Sequence, residues 1–146
     1  MKKVLGCLSM AALVVVLASP VSAQNLTLKV SVPFEFSVAG HALPAGDYTV
    51  STLNGAGFLD SGLLAVRNVS DGATPAIIAA IPAGRLAASG EASLTFHRYG
   101  SDYFLANIWD GYTEQGRSIP MSHTEQERAK MASVSKPEVV MVLARR

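Results

Sequence analysis

The chain has 146 residues, 12 basic against 11 acidic, with three histidines, one cysteine and an apolar share of 49%. This near-balance leaves no basic stripe to neutralise phosphates, so nucleic acid is excluded as an expected partner. The one cysteine, Cys7, cannot form an intrachain disulfide, and downstream of it there is no thiol chemistry, cysteine-based zinc site or iron–sulfur cluster.

Met1-Lys2-Lys3 gives a positive start, followed by an apolar run over 4–18, the break Ser19-Pro20, and small residues at Val21-Ser22-Ala23. This is the pattern of a secretory signal peptide over 1–23, with cleavage expected before Gln24. The apolar run is shorter than the roughly 20 residues a membrane-spanning helix requires, which argues against a retained anchor. Val4-Leu5-Gly6-Cys7 looks like a lipidation box, but no apolar stretch precedes it. Cleavage removes Lys2 and Lys3 and leaves ten basic against eleven acidic residues. Residues 24–146 then suit a single domain large enough to bury a core, and no later segment is apolar enough to span a membrane.

Leu26, Leu28, Val30, Val32, Phe34, Phe36 and Val38 fall on alternate positions. Period two over 26–38 predicts strand with one buried face, and Pro33 predicts a break or bulge within it. Gly40-His41 and Leu43-Pro44-Ala45-Gly46-Asp47 carry turn chemistry, and 48–53 reads as the next strand. A turn at Asn54-Gly55-Ala56-Gly57 precedes a strand over 63–69, and Ser70-Asp71-Gly72 is a hairpin signal before a strand over 75–81. The small residues of 82–92 read as a loop.

Residues 93–109 predict a second hairpin with its turn around 99–102. Its return strand, Tyr103-Phe104-Leu105-Ala106-Asn107-Ile108-Trp109, is apolar on both faces and is therefore expected to be central. A connection begins at Trp109-Asp110-Gly111-Tyr112, and 117–121 is a short extended piece. Ser122-His123-Thr124-Glu125 fits a capping box, in which each side chain satisfies a free amide near the other. It opens a short surface helix near 123–132. Lys136 to Leu143, rich in valine, predicts a closing strand, with Pro137 allowed at its start. These elements point to an all-β fold: an antiparallel β-sandwich or barrel with one short helix near the C-terminus.

The block Val32-Pro33-Phe34-Glu35-Phe36-Ser37-Val38, followed by Leu43-Pro44-Ala45-Gly46-Asp47-Tyr48-Thr49-Val50, resembles a family of small secreted bacterial proteins of unknown function. Phe96-His97-Arg98-Tyr99-Gly100 with Tyr103-Phe104-Leu105, and Ile119-Pro120-Met121-Ser122 with Glu125, are similar to the same family. The resemblance covers most of 24–146. It implies a secreted β-domain and brings no activity with it.

Metal binding needs converging ligands, and His41, His97 and His123 lie far apart without a paired motif. A fold could bring His97 to a carboxylate such as Asp102, but the simpler expectation is a histidine on the solvent face of its strand. Ser61 lies in a turn-like Asp60-Ser61-Gly62, without a nucleophile elbow. Glu35, Asp47, Asp60, Asp71, Asp102, Asp110 and Glu114 fall mostly beside turns and cannot be paired from sequence. No cofactor or metal is expected. The aromatic set Trp109, Tyr112, Tyr99 and Tyr103 clusters near the ends of one hairpin, with His97 and Arg98 beside it. Flat rings with polar rims next to Asp and Asn suit sugars and other small ligands. A further option is strand addition at an edge formed by 26–38, which holds only if that strand is not central.

The functional expectation is an exported, non-catalytic β-domain acting in interaction or structure in the cell envelope or outside the cell. Its partners would be another envelope protein, or a small ligand or glycan. The alternatives are a small-ligand or carbohydrate-binding module and a carboxylate-based hydrolase.

Overall fold

A computed structural model describes residues 27–53, 62–70, 75–85, 90–113, 115–132 and 136–146. The expected signal peptide, the turns at 54–57 and 71–72, and Ser61, Asp60, Asp71 and Glu114 lie outside these residues. The strands are β1 (Thr27–Val32), β2 (Phe36–Val38), β3 (His41–Leu43), β4 (Gly46–Thr52), β5 (Leu63–Asn68), β6 (Ala76–Ala79), β7 (Ile81–Arg85), β8 (Ser93–Tyr99), β9 (Asp102–Trp109), β10 (Gln115–Ser118) and β11 (Glu138–Arg145). The one helix among the described residues is α1 (His123–Met131). It is too short and polar to cross a membrane.

The sheet runs β3-β2-β9-β8-β11-β1-β4-β5-β6, and β10 bridges β9 to β7. Because β6 runs into β7 through Ala80, the path returns on itself as a nearly closed barrel. The expected all-β fold, sandwich or barrel with one short helix near the C-terminus, is thus present as a nearly closed, barrel-like sheet. The sheet is not purely antiparallel, since β2 joins β9 in parallel through Ser37 and Phe104.

The alternation over 26–38 produces this closure. Leu28, Val30 and Val32 are buried while Thr27, Lys29 and Ser31 face out. Pro33 cannot donate to a ladder, so pairing stops there and resumes at Phe36 on a different neighbour. Phe34 then packs in the barrel, stacked on Tyr103 with centroids 3.9 Å apart and edge-on to Phe96 at 5.2 Å. Phe36 meets Tyr48 and Phe96 edge-on at 5.2 and 5.3 Å. The Tyr48 hydroxyl donates to the Pro44 carbonyl at 2.5 Å and accepts from Asn68 Nδ2 at 3.3 Å, so the buried ring carries no unpaired polar end.

Three expectations need correction. The loop read over 82–92 is strand as far as Arg85, because Pro82 and Gly84 lie on a strand whose partner, β10, shows a register shift that tolerates them. The strand of 26–38 is not an edge: β1 sits between β4 and β11, so strand addition there is overturned. The capping box forms only in its first half. Ser122 Oγ accepts from the Glu125 amide at 3.2 Å, but the Glu125 carboxylate is engaged by His97, because that side chain is buried against the barrel.

Phe96 is fully buried where two other aromatic rings meet it. Phe96→Ala is expected to cost about 3–5 kcal/mol in urea unfolding, because the cavity left between Phe34 and Phe36 cannot collapse.

Candidate functional site

Two regions carry clustered polar chemistry. The first is where α1 seats on the outer face of β8 and β9. His97 Nδ1 and Glu125 Oε1 are 2.8 Å apart, the histidine side chain about a quarter exposed and the carboxylate buried. The partner of His97 is thus a helix residue. Asp102 instead meets Arg128 Nε at 3.1 Å, a second tie between helix and barrel. Tyr99 is buried beside them, edge-on to Phe104 at 5.9 Å. Burial, and then the negative charge of Glu125, raises its hydroxyl above the ordinary tyrosine value of 10.0. These contacts replace the apolar face that α1 lacks: Glu125 is its one buried residue, and polar side chains hold the helix down.

The aromatic set does not form one face. Trp109 is buried, with Gly116 against its ring: a Cβ on that glycine would fall 2.5 Å from the indole. Its Nε1 has no hydrogen-bond partner among the described residues. Tyr103 is spent on Phe34. Arg98 donates from Nε to the Gly100 carbonyl at 2.8 Å, pairs with Glu138 at 3.3 Å and lies 5.5 Å over the Tyr103 ring. Only Tyr112 of the four aromatics is well exposed, at 70%, and the Arg146 guanidinium covers its ring at 3.3 Å.

The second region is a groove of about 1020 Å³ at the seam between β1 and β11. These strands pair only at Lys29↔Arg145 and Val30↔Ala144, so the barrel wall parts beyond them. Beyond these pairs β1 continues to Val32 on β4 alone, and β11 keeps only its pairing with β8. Lys29, Arg145, Arg146, Asp47 and Glu91 supply charge to the groove, and Val69 and Leu143 supply exposed carbon surface. Arg146 is planted by its neighbours, with Nε donating to the Asp110 carbonyl at 3.0 Å. The Asp110 carboxylate in turn accepts from the Tyr112 amide, the Thr113 amide and the Thr113 hydroxyl, each at 2.9 Å, and so shapes the loop that presents Tyr112. Tyr112 thus belongs to the groove's surroundings through Arg146. The sequence does not show Lys29, Arg145 and Arg146 as a group, because the cross-strand register that brings Lys29 to Arg145 is non-local. Among the described residues, no group of three or more His, Cys, Asp or Glu side chains could hold a metal ion.

Two predictions follow from the helix seat. His97→Ala leaves a buried carboxylate without its partner and is expected to cost about 2 kcal/mol in urea unfolding, with Glu125→Leu in the same chain recovering most of it. Tyr99 holds its proton more tightly folded than unfolded, so its contribution to stability is complete below pH 10 and lost as pH rises above it. Unfolding midpoints from pH 8 to 11 should therefore fall at the alkaline end, less steeply in Tyr99→Phe. Comparison with protein-family models, with curated proteins and with solved structures gives no match.

Proposed function

We propose that this chain is an exported, non-catalytic β-barrel domain that acts by binding, in the cell envelope or outside the cell. The observation that carries this is the seam groove, a surface concavity lined by both charged side chains and carbon surface where β1 and β11 part. The barrel interior is filled by its own side chains, among them Phe36, Tyr48, Leu64, Phe96 and Ile108, so a ligand has to be met from outside. Export rests on the charged, apolar and small-residue order of 1–23, and the resemblance to a secreted bacterial family agrees with it. The sugar-platform variant is not favoured, since Trp109 is buried and Tyr112 is covered by Arg146.

The partner is then either another envelope protein or a small ligand. The protein purified from its own exporting cell should begin at Gln24 by N-terminal sequencing, and native mass spectrometry should show either added small-molecule mass or a bound protein. An N-terminus at Met1, or a bare monomer at every concentration, would contradict the proposal.

A further inference from the structure

Resting on the reading of the seam groove as the binding site, we infer that its ligand is a small anionic amphiphile. The cross-strand register lines up Arg67 opposite Thr49, Thr49 opposite Lys29, and Lys29 opposite Arg145, all on the outer face of four neighbouring strands. Lys29 and Arg145 are therefore direct cross-strand partners of like charge, an arrangement that disfavours the sheet unless a counter-charge lies between them. Neither of them, nor Arg67, has an ion pair among the described residues. Arg146 is added to this row by design of the adjoining loop. Gly111, at φ +74°, makes its approach possible, since a Cβ there would fall 2.6 Å from the Arg146 guanidinium.

The same groove sets the size of the charge. Asp47 and Glu91 line it together with Lys29, Arg145 and Arg146, so the groove is mixed in sign and suits a small anionic group rather than a polyanion. Val69 and Leu143, each 59% exposed, stand on the outer face beside Arg67 and Arg145. Leu143 thus offers exposed carbon surface next to the cations. A carboxylate head between Lys29 and Arg145, with its apolar body along Leu143 on the same face of β11, meets both features. The source of such a group is either a free amphiphile or the head of a membrane lipid.

The test uses isotope-labelled protein from its exporting cell, titrated with octanoate and, as the neutral control, with octyl glucoside. Saturable amide shifts at Lys29, Ser31, Thr49, Gly90, Ala92 and Ala144 are expected with octanoate, with octyl glucoside at least tenfold weaker. Raised salt should weaken the octanoate binding. The double variant Lys29→Gln/Arg145→Gln, at two exposed positions, should fold as the parent does and lose affinity at least tenfold. Sedimentation with phosphatidylglycerol vesicles identifies the source: co-sedimentation that the double variant loses assigns a membrane headgroup, and octanoate binding without it assigns a free amphiphile. Equal affinity in the double variant, equal binding of octyl glucoside, or no saturable shift together with no vesicle binding would overturn the inference. Native mass spectrometry on the same preparation separates the two levels. A co-purifying protein with no octanoate response sinks the ligand class and leaves the binding role standing.

Discussion

The structure depends on one constraint: alternate side chains along each strand must reach a shared interior that only a closing sheet can seal. The cluster of Phe34, Phe36, Tyr48, Phe96 and Tyr103 occupies that interior, drawn from strands and a crossing segment far apart in sequence. Each buried aromatic removes a large apolar area from water, at about 25 cal/mol per Å², and ring edges meeting ring faces add to this. Closure also settles the edges. β1, whose alternating pattern would make a sticky exposed strand, lies between β4 and β11 with no free side at its paired end.

Closure is incomplete, and the features outside the core follow from where it fails. β1 and β11 pair only at Lys29↔Arg145 and Val30↔Ala144, so the wall parts beyond them and a groove opens with charged residues on its rim. On the outer face of β8 and β9, a helix with almost no apolar surface is held by a carboxylate on a histidine and an arginine on an aspartate. The two regions differ in kind. In the helix seat the charges answer one another within the fold, whereas at the seam Lys29 and Arg145 face each other without an ion pair among the described residues. Internal pairing makes the first region structural, and its lack makes the second a surface that looks outward.

The legible part of this fold was the part encoded in local periodicity. Period two over 26–38, the break at Pro33, the hairpin around Gly100 and the cap at Ser122 can each be read within a few residues, and each is present. β7 escaped notice because Pro82, Ala83 and Gly84 look like loop residues, and only pairing with β10 makes them strand. The site was legible only in fragments. His97 stood out as a titratable residue, but its partner Glu125 read as a helix cap, since nothing local says that a buried position awaits that carboxylate. Trp109 drew attention as an isolated large ring, and Gly116, packed flat against it, shows why it turns inward. The row from Arg67 to Arg145 is invisible in one dimension, because its members meet only through the register of four strands.

If the seam cations, which have no ion pair among the described residues, hold an external anion, a crystal structure of the protein grown with octanoate will show a carboxylate bridging Lys29 and Arg145, with its chain lying along Leu143. An empty groove in which Lys29 and Arg145 turn instead to Asp47 and Glu91 would contradict it, because the like charges would then be answered from within.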